Sequence, residues 1–480
     1  MSRTGDRTAK RQTVSRVLLL NPPLRPEQVA GKFADWGGTY PPMGLCSLAS
    51  VLREEGYEVS ILDAEAERLG EDETVERIVR WAPDLVGLTC KSLWIKSAAR
   101  VAARLKKRLP RVPLVAGGHH VTALPLLSLR DFPAFDIIVV GEGERTLLNL
   151  VETWNTGGDL LAVKGLALRD ADGSGRLTAP RERIQMLDSL PFPAWDLLPD
   201  IPNNYRAPVF QTRSYPVFWW VTSRGCSGQC RFCDRTVFGN KVTRYGTEYV
   251  MTMARQLQEQ YRFKHIMFDD DNFLVNRAHA HRLLDELERA RLGFTFTCNS
   301  RVDTVDEETL GRLKRAGCWQ ITYGIESGSQ RILDSMNKRI KVEQIERALR
   351  LTKKAGIRTY GFIIVGYPGE TRETIKETYD LIRRSPIDDV GVFAFTPLPG
   401  SAIYDSIAEH GQFDEDWEKG NSLSHSAFLP EGWSEPELLA ALERLLDACY
   451  LKWSQLSALP RRLTSPYHAK MVWKSLVKAI

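Results

Sequence analysis

The sequence contains no hydrophobic run long enough to cross a membrane and too few cysteines for a disulfide scaffold. No stretch of its 480 residues approaches the roughly 20 apolar residues that a transmembrane helix needs. The basic N-terminal segment is followed only by the short apolar run 17–20, which is too short for the core of a signal peptide. Eight cysteines are sparse for this length, and a cytoplasmic chain should keep them reduced. We therefore expect a cytoplasmic protein with no transmembrane segment.

The chain also lacks the charge distribution of a nucleic-acid enzyme. Its net charge is +5, but residues 1–16 and 460–480 together carry +9, which leaves the rest near −4. Proteins that act on nucleic acids normally carry positive charge on the working face. RNA or DNA is therefore disfavoured as a substrate. The apolar and charged fractions, 43% and 26%, are ordinary for packed domains.

Residues 1–156 alternate short apolar runs with helical patterns. Continuous apolar strands that alternate with helices form parallel sheets covered on both faces. This segment is therefore predicted to be a doubly wound, Rossmann- or flavodoxin-like α/β domain with its ligand at the carboxyl ends of the strands. The five predicted strands are 17–21, 58–62, 84–89, 113–117 and 136–141, with helices near 43–56, 72–82, 96–109 and 144–155.

A second alternating series occupies 211–400. Its six strands and five intervening helices predict a partial (β/α)6 barrel of the TIM type, whose site would lie at the carboxyl ends of the strands. The proline-rich segment 157–210 is predicted to be a packed linker, with a hairpin turn at 170–176. The predicted barrel strands are 215–223, 265–268, 294–298, 319–325, 359–366 and 390–395, and the helices are 247–261, 277–291, 306–316, 341–355 and 371–384.

No strand is predicted after residue 400. Residues 401–480 are expected to form a small helical region, with an amphipathic helix at 434–453 and another helix at 465–478.

Three of the eight cysteines form the most informative pattern in the sequence. Cys226, Cys230 and Cys233 lie in RGCSGQCRFCDR, directly after the first predicted barrel strand. Three thiolates at this spacing can hold three corners of an iron–sulfur cluster, whose usual ligand set is four cysteines. One iron would then remain open to a substrate or cofactor. The alternative is a zinc knuckle, but zinc sites favour two separated C-x2-C pairs, and no second pair exists here.

This C-x3-C-x2-C motif, with aromatic Phe232 before its last cysteine, resembles the signature of the radical S-adenosylmethionine superfamily. The resemblance covers about 215–400. It implies a [4Fe-4S] cluster on Cys226, Cys230 and Cys233, and S-adenosylmethionine bound to the open iron. Reductive cleavage in such enzymes releases a 5′-deoxyadenosyl radical.

The resemblance extends to the ends of later barrel strands. It implies that Asp270, Asp271 and Asn272 in FDDDNF face the methionyl amine. It also implies that Arg301 meets the methionyl carboxylate as a bidentate partner and that Glu326 contacts the ribose. VGYPGET at 365–371 and FTPLPGS at 395–401 end the fifth and sixth strands in the same way.

The N-terminal half resembles the cobalamin-binding domain that precedes the barrel in cobalamin-dependent members of this superfamily. NPP, YPPMGL, AGGHH and GEGE all fall at the ends of predicted strands. The resemblance implies that cobalamin contacts Asn21, Pro22, Gly117, Gly118, Gly141, Glu142 and Gly143. The D-x-H-x-x-G motif, whose histidine ligates cobalt in domains of the methionine-synthase type, is missing. His119 and His120 follow the fourth strand and are interpreted as polar loop residues.

Together the two resemblances imply a cobalamin-dependent radical S-adenosylmethionine methyltransferase that methylates an unactivated carbon through the 5′-deoxyadenosyl radical and methylcobalamin. The substrate would be a small molecule, such as a natural product or a tetrapyrrole-like intermediate. A flavodoxin or ferredoxin would supply electrons. A non-methylating oxidative cyclase, similar to the magnesium-protoporphyrin monomethyl ester cyclase, is one alternative. An RNA- or protein-modifying radical enzyme without cobalamin and a cofactor-sensing binding protein are others.

Overall fold

The computed structural model of the chain describes residues 13–24, 37–208, 211–418 and 425–452. These residues form two compact units, each with its own parallel sheet. None of the described helices is both long and apolar enough to cross a membrane. Unit 1 takes the described residues of Met1–Pro23, Pro42–Ile184 and Leu190–Pro199, and unit 2 takes those of Leu24–Pro41, Gln185–Ser189 and Asp200–Ile480.

The sheet of unit 1 contains β1 Arg16–Asn21, β2 Glu58–Asp63, β3 Leu85–Thr89, β4 Leu114–Gly117, β5 Ile137–Val139, β6 Leu166–Arg169 and β7 Gly175–Leu177. Its order is β2–β1–β3–β4–β5–β6–β7. β1 to β5 pair in parallel, so their carboxyl ends share one edge. The order reverses between β1 and β3, which is where doubly wound sheets bind their ligands. The predicted doubly wound fold is confirmed.

The helices of unit 1 follow the predicted helical patterns to within two residues. In Ile95–Arg108 the buried side chains include Ile95, Ala98, Val101 and Leu105, which recur at helical spacing on one face. Two further short helices follow β4. The helices are α1 Met43–Glu54, α2 Glu71–Trp81, α3 Ile95–Arg108, α4 His119–Ala123, α5 Pro125–Asp131 and α6 Glu144–Asn155.

The segment predicted as a linker, 157–210, is divided in the structure. β6 pairs antiparallel with β5, and β7 pairs antiparallel with β6, so this part extends the sheet of unit 1. The turn between them, predicted at 170–176, is closed by the Asp170 N–H, which donates to the Ser174 carbonyl at 2.7 Å. The strands have only four and three residues. Such short runs carry too little periodicity to be assigned to a sheet from sequence.

Unit 2 contains a six-stranded parallel sheet. Its strands are β8 Val217–Trp220, β11 His265–Phe268, β12 Thr295–Ser300, β13 Cys318–Glu326, β14 Arg358–Val365 and β15 Asp389–Ala394; the short pair β9 Ser223–Arg224 and β10 Thr243–Arg244 stands apart. The order is β15–β14–β13–β12–β11–β8. Among the described residues the edge strands β8 and β15 do not pair, which is the open form of the predicted (β/α)6 barrel.

Helices connect the barrel strands, and several begin at side-chain caps. The side chains of Asn276, Asp306 and Thr371 accept hydrogen bonds from the backbone N–H three residues later, which satisfies a free donor at the start of each helix. Two short helices were not predicted: Ile201–Asn204, which precedes β8, and Gln330–Ser335. These helices are α7 Ile201–Asn204, α8 Thr247–Tyr261, α9 Arg277–Ala290, α10 Glu307–Arg315, α11 Gln330–Ser335, α12 Val342–Lys354 and α13 Arg372–Arg384.

The region after residue 400 is not purely helical, which corrects the sequence prediction. β16 Gly411–Phe413 and β17 Phe428–Pro430 form a short antiparallel pair, followed by α14 Glu435–Tyr450. The side chain of Phe428 is buried in a cluster with Tyr367 and Phe395. Each strand has only three residues, so this pair depends on tertiary packing. The predicted helix at 465–478 lies outside the described residues.

Two glycines should respond in opposite ways to an added methyl group. A Cβ on Gly328 would lie 2.5 Å from the Thr378 Cα in α13, whereas one on Gly311 would meet only the Arg315 Nη1 at 3.5 Å. We expect Gly328→Ala to lower the free energy of unfolding by about 1–3 kcal/mol through overpacking. Gly311→Ala should raise it by about 0.5–1 kcal/mol, because alanine favours a helix interior. Urea unfolding midpoints measure both, and a Gly328→Ala protein as stable as wild type would contradict this packing.

Candidate active site

The three cysteines lie on the loop that leaves β9, within unit 2. Cys226 is half-buried, Cys230 is buried and Cys233 is exposed. Gly225 begins the loop with a φ of +89°, and a Cβ there would lie 2.6 Å from the Lys241 carbonyl oxygen. Only glycine tolerates both the left-handed backbone and this close approach. The close approach of Gly225 to the segment before β10 therefore sets the direction in which the loop leaves β9.

Gly228 leaves space beside two of the cysteine sulfurs. A Cβ on Gly228 would lie 3.3 Å from the Cys226 Sγ, 4.0 Å from the Cys230 Sγ and 3.9 Å from the Arg301 Nη1. The missing side chain thus leaves a cradle bounded by two sulfurs and a guanidinium. Among the described residues, no three Cys, His, Asp or Glu side chains converge as ligands of one metal ion would. Cysteine thiolates are the usual ligands of iron–sulfur clusters, so the sulfurs that border this cradle fit the predicted cofactor.

Phe232 positions the loop through packing. Its ring lies against a buried apolar cluster that includes Met336, Tyr367 and Phe395. The Arg231 N–H donates to the Met336 carbonyl at 2.9 Å. Phe232 is therefore part of the wall that supports the cysteines.

Asp270 anchors two strands and is not free for a ligand. Its carboxylate accepts hydrogen bonds from the Thr222 N–H and hydroxyl and from the Ser223 hydroxyl, at 2.5–3.1 Å. The side chain is buried, and burial raises the pKa of Asp270 to about 6. The prediction that Asp270 contacts the methionyl amine is therefore at odds with its bonding, since both oxygens already hold the end of β8 against β11.

The neighbours of Asp270 are placed differently. Asn272 is buried, and its side-chain oxygen accepts from the Ser300 hydroxyl at 3.2 Å. Asp271 is exposed and lies close enough to Cys233 for their charges to interact. Of the three residues predicted from FDDDNF, only Asp271 thus presents an accessible carboxylate beside the cysteine loop.

Arg301 is committed to a protein carboxylate. Its Nε and Nη2 each donate to one oxygen of Asp303 at 2.9 Å, and Nη2 also donates to the Lys338 carbonyl at 2.9 Å. Burial opposes its charge, but the bonds to Asp303 leave the pKa of Arg301 raised. The predicted bidentate contact with a methionyl carboxylate would have to displace Asp303. The third guanidinium nitrogen, Nη1, faces the Gly228 cradle, where the cluster is expected.

Glu326 ends β13 in a strained conformation. Its φ is +64°, and the pairing of β13 with β14 shifts register between Gly324 and Glu326. Positive φ in a residue other than glycine and irregular pairing both concentrate at functional sites. The Glu326 carboxylate accepts a hydrogen bond from the Lys338 Nζ at 2.6 Å. Sequence reasoning missed Lys338, because no motif spacing links it to Glu326.

Tyr40 and Asp269 were also missed. The motif YPPMGL was assigned to the N-terminal domain, but the structure groups Tyr40 with unit 2, where its ring meets Trp219 edge-on at 6.0 Å. Burial and the neighbouring Asp270 raise the pKa of Asp269 to about 7. Asp269, whose N–H donates to the Trp220 carbonyl at 2.8 Å, lies within electrostatic range of Tyr40, which is 41% exposed.

In unit 1, Asn21 offers an unused acceptor at the end of β1. Its Nδ2 donates to the Asp63 carboxylate at 2.8 Å, while its buried Oδ1 accepts no hydrogen bond from any described residue. Pro22 follows directly. An orphaned acceptor at the switch point of the sheet fits a ligand that carries N–H donors, as the amide side chains of cobalamin do.

The predicted glycines of unit 1 divide into close contacts and open positions. Gly118 has a φ of +109°, and a Cβ there would lie 3.0 Å from the Cys90 backbone; Gly143 approaches the Leu48 side chain equally closely. No atom lies within 4 Å of a Cβ built on Gly141, and only Val139, at 3.8 Å, is near one on Gly117. Gly117 and Gly141 therefore leave the strand edge accessible to a flat ligand.

Two other predicted residues of unit 1 serve the protein itself. The Glu142 carboxylate accepts from the Ile184 N–H at 2.8 Å and lies 3.8 Å from the Arg183 Nε, so it holds the chain after β7. His120 is buried in α4, where Nδ1 lies 3.2 Å from the Ser92 hydroxyl and burial lowers the pKa to about 4. It is not a polar loop residue, which corrects the sequence interpretation.

Comparisons with known proteins agree with this geometry. The profile of the Radical SAM superfamily matches residues 220–382, and that of the B12 binding domain matches residues 33–151. The chain is 33% identical to an uncharacterized methyltransferase of Pyrococcus horikoshii over 92% of both chains. The chain belongs to the cobalamin-binding radical S-adenosylmethionine enzymes.

Two further relatives widen the comparison. The anaerobic magnesium-protoporphyrin IX monomethyl ester cyclase of Rubrivivax gelatinosus is 31% identical over 85% of this chain and 73% of its own length. The radical S-adenosylmethionine methyltransferase TsrM of Kitasatospora setae, solved with cobalamin and a [4Fe-4S] cluster, has the same fold. Its TM-score is 0.66 at 21% identity, and the match covers 83% of this chain and 75% of that one.

The cofactors of this family member are a [4Fe-4S] cluster, S-adenosylmethionine and cobalamin. The residues present fit them. The Gly228 cradle lies between cysteine sulfurs, and the orphaned Asn21 oxygen lies at the switch point of the B12-binding sheet.

Loss of any one of the three loop cysteines should abolish cluster binding. After anaerobic reconstitution the wild type should hold about four irons per chain, and Cys226→Ala, Cys230→Ala or Cys233→Ala should each hold far fewer. Cys298→Ala, which changes a buried thiol in β12, is the matched control and should keep its iron. Iron and sulfide analysis measures this. A variant of any loop cysteine with a full complement of iron would contradict the assignment.

The loop after β14 should make stability depend on pH through Glu370. Glu370 is 3% exposed, and one of its carboxylate oxygens accepts a hydrogen bond from the Gly366 N–H. The other oxygen has no hydrogen-bond partner among the described residues. Burial raises the pKa of Glu370 to about 8. Between the unfolded value of about 4.3 and 8, the native state binds one more proton. The free energy of unfolding should therefore fall as pH rises, by at most about 1.4 kcal/mol per unit. Glu370→Gln should flatten this dependence in urea titrations from pH 5 to 9, and an unchanged slope would refute it.

Proposed function

We propose that this enzyme is a methyltransferase that adds a methyl group to an unactivated carbon of a small molecule. The observation that carries the proposal is that one chain holds the three-cysteine loop and the B12-binding sheet and matches a relative named as a methyltransferase over 92% of both chains. When bound, the cluster with S-adenosylmethionine supplies a carbon-centred radical and cobalamin supplies a methyl group.

The residues of the chain would bind and orient these groups. Cys226, Cys230 and Cys233 provide three ligands and leave the fourth position of the cluster for S-adenosylmethionine. Asp271 and Glu326 are the carboxylates we assign to its amine and ribose, and Arg301 adds positive charge beside the cluster. In unit 1 the accessible glycines and the Asn21 amide would hold the corrin.

The second candidate is an oxidative cyclase, which uses the same cofactors without methyl gain. It is favoured by the 31% identity to the cyclase of Rubrivivax gelatinosus. One consideration favours methyl transfer over cyclisation. The methyltransferase relative is matched over 92% of its length, whereas the cyclase is matched over 73%. The match of residues 33–151 to a B12 binding domain also counts against an RNA- or protein-modifying enzyme without cobalamin.

The electron donor and the cellular location belong to the same proposal. We assign the reducing role to a flavodoxin or ferredoxin in the cytoplasm. None of the eight cysteines forms a disulfide, which is consistent with a reducing compartment.

Cofactor content and label transfer separate the candidates. Anaerobically purified protein should hold about one cobalt and four irons per chain. With S-adenosylmethionine labelled in its methyl group, a low-potential reductant and a cell extract, a small-molecule product should acquire the label in a cobalamin-dependent reaction. The Cys233→Ala protein is the control and should transfer none. Oxygen from labelled water in the product, with no methyl gain, would establish the cyclase reaction instead.

A further inference from the structure

A buried ion pair joins the end of β13 to the segment after α11. The Lys338 Nζ lies 2.6 Å from the Glu326 Oε1, and the two side chains are only 7% and 8% exposed. The ammonium also lies 5.7 Å from the centre of the Phe232 ring, within range of a cation–π contact. A buried ion pair is costly to desolvate and weak evidence for stability. Its place beside the cysteine loop therefore suggests another role.

The backbone of β13 is adapted to hold this pair. A Cβ on Gly324 would lie 2.5 Å from the Glu326 Oε1 and 2.7 Å from the Lys338 Nζ, so any larger residue would occupy the position of the pair. Glu326 itself has the positive φ and the irregular pairing described above. The carboxylate is thus turned out of the regular strand and held in one direction by Lys338.

The segment that carries Lys338 also holds the cysteine loop. Asn337 donates from its side chain to the Gln229 carbonyl at 2.8 Å, and the Arg339 Nη2 donates to the Gln229 Oε1 at 2.7 Å. The Met336 carbonyl accepts from the Arg231 N–H at 2.9 Å. In the run 336–339, three residues therefore bond to the cysteine loop, and the fourth, Lys338, bonds to Glu326.

We propose that Lys338 is a positioning residue that fixes the Glu326 carboxylate for S-adenosylmethionine and couples it to the cluster loop. This inference rests on the assignment of Glu326 to the ribose under the proposed function. Lys338 directs the carboxylate oxygen that it does not bind, and residues 336–339 keep a constant distance between that oxygen and the cysteines. The cofactor then meets its cluster and its ribose partner in one preformed arrangement, which lowers the ordering cost of binding.

The test measures the affinity of the cluster-loaded full chain for S-adenosylmethionine, without a methyl acceptor. Lys338→Met and Glu326→Gln should each weaken binding about 10- to 100-fold, the range that a hydrogen bond to a charged group supplies. The double variant should bind within about twofold of Glu326→Gln, because Lys338 acts through Glu326. Iron content should stay at wild-type levels, since the hydrogen bonds to the cysteine loop come from Met336, Asn337 and Arg339 and not from the Lys338 side chain.

A matched control is Lys376→Met. The Lys376 Nζ lies 2.6 Å from an Asp380 oxygen, as in the buried pair, but the two side chains are 74% and 45% exposed. Its removal should leave affinity unchanged. Lys338→Arg, which keeps the charge, should restore part of the affinity lost in Lys338→Met.

Each contrary outcome contradicts a specific claim. Wild-type affinity in Lys338→Met overturns the positioning role, and so do losses that add in the double variant. Wild-type affinity in Glu326→Gln overturns the ribose assignment. If Lys338→Met does not fold, hydrogen exchange of the wild type decides: S-adenosylmethionine should slow exchange at 336–339, and no slowing overturns the proposal. Absence of methyl transfer would leave all these readouts intact.

Discussion

A parallel sheet covered by helices on both faces leaves only the ends of its strands for chemistry. Both units of this protein are built on such sheets, and register fixes their ends along one edge. The polar residues that can contact cofactors therefore follow strands: Asn21 after β1, the cysteine loop after β8 and β9, and Glu326 at the end of β13. Within each unit, strand pairing aligns these ends along one edge of the sheet.

Burial at the strand ends imposes a second requirement, because every charge placed there needs a partner. Asp270 is surrounded by donors from Thr222 and Ser223, Arg301 is held by Asp303, and Glu326 is paired with Lys338. Some residues that resemble cofactor ligands are thus structural anchors. The polar residues of the site divide into those that support the loop and those left accessible, and only side-chain geometry distinguishes the two groups.

This division explains what could and could not be predicted from the sequence. Apolar periodicity located the strands and helices of both sheets, because regular elements leave a local pattern. The spacing of Cys226, Cys230 and Cys233 identified the cluster site for the same reason. Three other features depend on contacts between residues distant in sequence: the pairing of the hairpin around Asp170 with β5, the contact of Tyr40 with Trp219, and the partner of Glu326. A pattern read along the chain does not contain them.

Position 326 requires both a backbone with positive φ and a side chain long enough to reach Lys338, and no residue type meets both requirements fully. Asparagine and aspartate enter the left-handed region more easily than glutamate does. Their side chains are one methylene shorter, so they would fall short of the Lys338 ammonium, which Glu326 reaches at 2.6 Å. The length of the side chain and the ease of the backbone therefore oppose each other. A replacement that relieves the backbone strain therefore loses the contact with Lys338. A gain in stability at this position is expected to reduce the affinity for the cofactor, and the reverse.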